Sequence, residues 1–131
     1  MNKDDTERLV NAWVAATRAG PESFVHEKNW WAIEKLMQLS HENPELLWGV
    51  ILKIIEKASD EDERLLGNLA AGPLEDLMRS HGERFIDRVE QEANSNPRFK
   101  SCLGGVWLDS EDTNAWRKFY EIADIEPPFD D

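Results

Sequence analysis

The chain has 131 residues, of which 40% are hydrophobic and 32% are charged, and its formal net charge is −12. This length predicts one domain with a sizeable core, and the hydrophobic content excludes a disordered chain. The acidic balance argues against nucleic-acid binding, because a nucleic-acid interface needs lysines and arginines that neutralise phosphates.

The first half of the sequence predicts three helices, each with apolar residues at helical spacing. The first covers residues 4–19 and ends at Gly20–Pro21. The second follows a short loop and ends before Asn43–Pro44, where proline suits the first turn of the third helix. That third helix runs to about Lys57 and has the broadest apolar face, so we expect it to be the most buried.

Glycine and proline punctuate the second half. Gly72–Pro73 predicts a sharp corner, at which glycine ends one helix and proline opens the next. His81–Gly82 and Asn96–Pro97 predict two further breaks. We expect the short apolar run at 106–108 to pack on the core, and the acidic residues at 109–112 to cap a last helix.

Together these elements predict an all-α fold, since no segment convincingly reads as a strand. We expect about seven short helices with brief links, stacked either as an α-α superhelix of the HEAT type or as a compact irregular bundle. Residues 1–125 would form one helical domain, and residues 126–131 a mobile acidic tail.

Two stretches of the sequence resemble a known family. The segment LAAGPLEDL at 69–77 and the segment LGGVW at 103–107 are similar to motifs of a family of small bacterial all-helical proteins of unknown function. Trp13 and the Asn43–Pro44 pair also fit the layout of that family. The resemblance implies a stand-alone bacterial helical domain, and it brings no activity with it.

Two adjacent acids, Glu75 and Asp76, directly follow the Gly72–Pro73 corner. Their ordinary role would be to offset the helix dipole in a first turn. Alternatively, Arg88 or Arg98 from a later helix could pair with them. Such a pair would either pin the corner or line a polar groove that binds a ligand or peptide, so all four are candidate binding residues.

Trp30 and Trp31 are the other candidate binding residues. Consecutive helical residues point about 100° apart, so they cannot both face one core. Either both are buried between two layers of helices, or one is exposed at an interface, where tryptophan is enriched. The remaining tryptophans fall on apolar stripes and are expected in the core: Trp13, Trp48, Trp107 and Trp116.

The sequence has no grouping typical of a catalytic or metal site. It lacks a glycine-rich phosphate loop, a nucleophile elbow and a histidine pair with zinc-ligand spacing. The single cysteine, Cys102, is expected to be a small buried hydrophobe. No apolar run approaches the roughly 18 residues of a membrane span, and the acidic N-terminus does not resemble a secretory signal. We therefore expect a cytoplasmic protein that is not an enzyme and has no metal, cofactor or membrane association.

Two functional hypotheses follow. The first is an acidic bacterial protein-interaction module with a basic partner, for example an immunity or antitoxin-like protein, because opposite charge speeds association. The alternative is a small-molecule or peptide-binding domain with a polar groove near the Gly72–Pro73 corner. The oligomeric state stays open, and contact between copies through Trp30 or Trp31 is a third hypothesis.

Overall fold

The computed structural model describes residues 2–106 and 114–125, and the regular secondary structure of these residues is helical throughout, which confirms the all-α prediction. The predicted acidic cap at 109–112, Trp107 and the tail at 126–131 lie outside the described residues. The helices are α1 (Lys3–Ala19), α2 (Phe24–Lys28), α3 (Trp30–Glu42), α4 (Pro44–Lys57), α5 (Glu63–Leu69), α6 (Glu75–Ser95), α7 (Pro97–Leu103) and α8 (Asn114–Ala123).

Asparagine–proline pairs begin two of these helices, as the sequence predicts. The side chain of Asn43 accepts a hydrogen bond from the backbone of Leu46, and Pro44 occupies the first turn of α4. Asn96 caps α7 in the same way, with Pro97 after it. In both cases the amide oxygen satisfies a backbone N–H that has no partner within the helix.

The helices pack around one core, to which every described helix except α2 contributes. α1 contacts α3, α4 and α5, while α6 contacts α3, α4 and α8. Neighbouring helix pairs of a superhelix would make contacts of this kind too, so the choice between a superhelix and an irregular bundle stays a prediction. Three tryptophans predicted to be buried are in this core, at 9% exposure or less: Trp13, Trp48 and Trp116.

The predicted corner at Gly72–Pro73 is wrong, because the helix does not end there. α5 and α6 are joined without a break by a π-helical stretch, Ala70–Leu74, which we call the π segment. The N–H of Glu75 donates to the carbonyl of Ala70, five residues back. Gly72 lacks the positive φ that a C-terminal glycine cap needs. The wider π turn accommodates Pro73, which has no N–H to donate.

The second predicted break, at His81–Gly82, is a kink inside α6. His81 leaves helical geometry, with φ −138° and ψ 26°, but the helix continues to Ser95. The imidazole Nε2 of His81 lies 2.9 Å from the carbonyl oxygen of Ser40 on α3. This contact joins the kink of α6 to the end of α3.

Candidate functional site

A cleft of about 530 Å³ opens between α1, α3 and the continuous helix formed by α5, the π segment and α6. Its floor is apolar and closed, since Trp13 and Leu36 are buried. Its rim is apolar and open, with Trp30 44% exposed and Met37 52% exposed. Cavities that bind ligands measure roughly 300–1,000 Å³ and combine apolar walls with a few polar groups. This cleft has that size and that lining.

Polar side chains enter the cleft from two sides. His26 of α2 stands beside the rim, with its ring centroid 5.6 Å from the ring of Trp30. On the opposite wall, Arg64 donates weakly to the carbonyl of Arg18, at 3.5 Å, and Asn68 donates to the carbonyl of Arg64, at 2.8 Å. Asp76 completes this wall from the first turn of α6. The cleft therefore presents one cation and one carboxylate from a single helical rod.

Asp76 reaches the cleft because of the π segment. Ahead of Asp76, the rod lines the cleft with Arg64, Asn68, Ala71, Gly72 and Pro73, and the first three of these repeat at the spacing of a regular helix. A regular helix would bring Glu75 to this face next, about three turns after the first of them. The extra residue held in a π turn advances all later residues by one position, or about 100°. Asp76 consequently faces the cleft, and Glu75 points elsewhere and pairs with Arg79 at 3.8 Å.

The carboxylate of Asp76 is half-buried and poorly compensated. Burial is the main cause that raises its pKa above the ordinary range, and the neighbouring charge of Glu75 adds to the effect, while His41 and Arg79 oppose it. Among the described residues, no hydrogen bond or ion pair reaches this carboxylate. Every other half-buried acid in the described part of the chain has such a partner: Glu7, Asp62, Glu75, Glu90 and Glu92.

The predicted pairing of Arg88 and Arg98 with the two adjacent acids is wrong. Arg88 and Arg84 both bind the carboxylate of Glu45 on α4, the latter at 2.7 Å. Arg98 binds Asp60 at 3.0 Å. On α6, Asp76 faces the cleft, whereas Arg84 and Arg88 lie on a different face of the helix, which is directed towards Glu45. These arginines tie α6 and α7 to the α4 region, and neither candidate arginine lines the cleft.

The two adjacent tryptophans separate onto two surfaces. Trp30 is 44% exposed and Trp31 is 39% exposed, so the alternative in which both are buried is wrong. Trp30 lines the cleft. Trp31 lines a separate, more open groove, where the guanidinium of Arg8 lies 5.1 Å from its ring centroid. The structure thus brings Trp30 and Asp76 together out of the six predicted site residues.

Sequence reasoning misses several residues of the cleft. Met37 belongs by its spacing to the apolar face of a helix, yet it stands on the rim and is more exposed than Trp30. Arg64 and Asn68 carry no motif, although their i, i+4 spacing ahead of Gly72–Pro73 places both on one helix face. His26 gives no signal, because the sequence around it predicts a loop and the short helix α2 positions it instead.

We also searched the described part of the chain for a metal cluster, a reactive cysteine and a membrane-spanning helix. No three histidine, cysteine, aspartate or glutamate side chains there lie close enough to hold a metal ion. Cys102 is buried, as predicted, and its burial raises the pKa of the thiol to about 12. A thiol with that pKa is a poor nucleophile near neutral pH. None of the described helices combines the length and the apolar character needed to cross a membrane.

One of three comparisons with known proteins finds a match to the sequence. Neither the curated proteins nor the solved structures contain a significant match to the chain. A family model does match, over residues 19–126, a range that includes α2 to α8, the π segment and most of the cleft. The chain therefore belongs to the family of unknown function DUF6869.

Proposed function

We propose that this protein is a non-enzymatic binding module that holds a segment of a partner protein in the cleft between α1, α3 and the α5–α6 rod. One observation carries the proposal: the exposed side chains of Trp30 and Met37 stand over a closed apolar floor in a cleft of about 530 Å³. Large apolar side chains in an open rim cost free energy unless something covers them. Tryptophan is also among the residues that dominate binding energies at protein interfaces.

The surface beside the cleft favours a protein segment over a small molecule. The helix α2, which supplies His26 to the cleft, buries none of its side chains. Phe24 is 75% exposed and Val25 is 41% exposed. This apolar surface extends beyond the cleft itself, so a partner that covered both would bury more area than a cleft-sized ligand can. Protein partners bury roughly 800 Å² on each side in a standard interface.

The composition supports the remaining parts of the proposal. A net charge of −12 favours a basic partner, because opposite charges speed encounter and exclude acidic competitors. The single cysteine, which cannot form a disulfide within the chain, favours a cytoplasmic location. A bacterial source is in keeping with the family resemblance of the segments at 69–77 and 103–107.

Selection from a random peptide display library would test the proposal even though the partner is unidentified. We expect the wild-type protein to enrich a set of related peptides whose affinity falls about tenfold or more in Trp30→Ala. Trp31→Ala is the matched control, since it removes a similarly exposed indole from the neighbouring groove. Its affinity for the same peptides should match that of the wild type.

Three outcomes would contradict the proposal. The library could yield no enrichment, or the two tryptophan variants could bind the selected peptides equally well. Light scattering could also show that the wild-type protein is a dimer and that Trp30→Ala is a monomer. The last result would mean that a second copy of the chain, rather than a different protein, covers the cleft.

A further inference from the structure

We infer that the cleft receives a basic side chain of the partner segment, with its cationic head on the carboxylate of Asp76 and its stem against Trp30. This inference rests on the proposed function and names the chemistry of its ligand. Two separate features of the cleft converge on a cation.

The first feature is the carboxylate of Asp76. It is the half-buried acid to which the described residues offer neither a hydrogen bond nor an ion pair. An acid that has lost part of its water without gaining a partner is unfavourable in the free protein. A cation from outside would restore the lost interaction, and a guanidinium or ammonium group would do so with charge-assisted hydrogen bonds. A neutral donor would restore a hydrogen bond without the opposite charge, and an anionic group would restore neither.

The second feature is the indole of Trp30. Within the described residues, arginines already lie over the rings of two other aromatic side chains. Arg8 lies 5.1 Å from the ring centroid of Trp31, and Arg88 lies 5.0 Å from that of Phe85. No arginine or lysine of the described residues is placed over Trp30, whose ring neighbour is His26, although tryptophan is the best aromatic partner for a cation. An arginine or lysine that reaches Asp76 through the rim would pass this indole.

The positive charge of Arg64 determines at which end of the cleft a basic residue of the bound segment lies. Arg64 and Asp76 are 12 residues apart on the same rod, which corresponds to roughly 18 Å at 1.5 Å per residue. An extended peptide covers that distance with about five or six residues at roughly 3.3 Å each. A basic residue near Arg64 would meet like charge, whereas an acidic one would not. The geometry therefore favours a segment whose basic residue lies at the Asp76 end.

The test uses single-residue probes, so that it does not depend on selected peptides. N-acetylarginine amide and N-acetyllysine amide would be titrated into the labelled protein, with N-acetylcitrulline amide as the neutral counterpart of arginine. We expect the shifts in the NMR spectrum to centre on the indole of Trp30, His26 and the backbone of the π segment. The arginine probe should bind about tenfold or more tightly than citrulline, and added salt should weaken it.

Two substitutions with the same charge change separate the cleft from the general acidity of the protein. Asp76→Asn should weaken the arginine probe about tenfold or more, because it removes the anion at the site. Glu75→Gln is the matched control, since this carboxylate faces away from the cleft and pairs with Arg79. Its affinity for the probe should stay near the wild-type value. Arg64→Gln should leave binding unchanged or strengthen it.

The thermal stability of Asp76→Asn tests the burial of this carboxylate without any ligand. Because burial raises the pKa of Asp76, its ionised form is less stable in the folded chain than in the unfolded one. The penalty is absent below the unfolded pKa, grows as the pH rises from the unfolded pKa to the folded one, and is fully present above the folded pKa. Asp76→Asn removes the charge and should therefore have a higher Tm than the wild type at pH 7.

The outcomes distinguish the inference from the function on which it rests. Equal binding of arginine and citrulline probes, or equal losses in Asp76→Asn and Glu75→Gln, would overturn the inference. If display selection still yields peptides that depend on Trp30 but lack basic residues, the proposed function stands and the cation assignment fails. If no peptide depends on Trp30 while the arginine probe binds at Asp76, the cleft takes a free organic cation and the proposed protein partner is wrong.

Discussion

Gly72→Ala decides between the sequence-based view of the α5–α6 junction and the structure. As a helix-ending glycine, Gly72 would need a positive φ, and alanine there would cost about 1–2 kcal/mol. In the structure it is an internal residue of the π segment with no positive φ, and an added Cβ would meet nothing within 4 Å. Alanine should instead stabilise the protein by about 0.5–1 kcal/mol, since glycine loses more backbone entropy on folding.

Urea denaturation followed by far-UV circular dichroism would measure this change in the free energy of unfolding. In calorimetry, the Tm of Gly72→Ala should be about 2–4 °C higher than that of the wild type. Gly20→Ala is the matched control, because Gly20 does have a positive φ of 88° and an added Cβ would lie 2.7 Å from the Nη1 of Arg64. That variant should lose about 1–2 kcal/mol. A loss of similar size in Gly72→Ala would refute the continuous rod.

Three further predictions concern the core and the surface. Leu74→Ala should cost about 2–5 kcal/mol in urea denaturation, because Leu74 is fully buried in the π segment, and a smaller loss would mean that this stretch is loosely packed. Glu45→Gln should be less stable than the wild type at pH 7, since Arg88 and Arg84 hold the pKa of Glu45 below its usual value. The difference should vanish as the pH falls from the unfolded pKa through the lowered one, and a difference that persists below both would contradict the assignment. Cys102 should resist a thiol-specific disulfide reagent at pH 8 in the folded protein and react fully in urea, whereas rapid reaction in the native state would refute its burial.

Much of the fold could be predicted because local rules decide it. Apolar residues at helical spacing locate the long helices, and Asn43–Pro44 and Asn96–Pro97 begin α4 and α7 where capping rules place them. The same rules fail at Gly72–Pro73, where glycine and proline usually mean an end and a restart. There the tertiary packing of the buried Leu69 and Leu74 on either side favours a continuous rod, and a π turn absorbs the proline.

The candidate site was half predictable for a related reason. Trp30 and Asp76 are predicted as site residues from their chemistry, and both line the cleft. The other predicted site residues do not line it: Trp31, Glu75, Arg88 and Arg98. Arg88 and Arg98 are close in sequence to the acids, yet direction around a helix matters more than separation along it. A one-residue change in helical phase cannot be read from hydrophobic spacing over a short stretch. The sequence alone therefore does not determine which of the two adjacent acids faces the cleft.

The π segment also determines where this chain can tolerate a change in length. Deletion of one residue inside a regular helix rotates every later side chain by about 100°, which in α6 would carry Phe85 and Val89 out of the core. Deletion of Pro73 is different, because Ala70–Leu74 already holds one residue more than a regular helical turn needs. Its loss would convert the π turn into a regular turn and leave the later residues, Asp76 included, on the faces that they now occupy. A relative that lacks one residue within Ala70–Leu74 would therefore keep the cleft. We expect a regular helix in place of the π segment in such a relative.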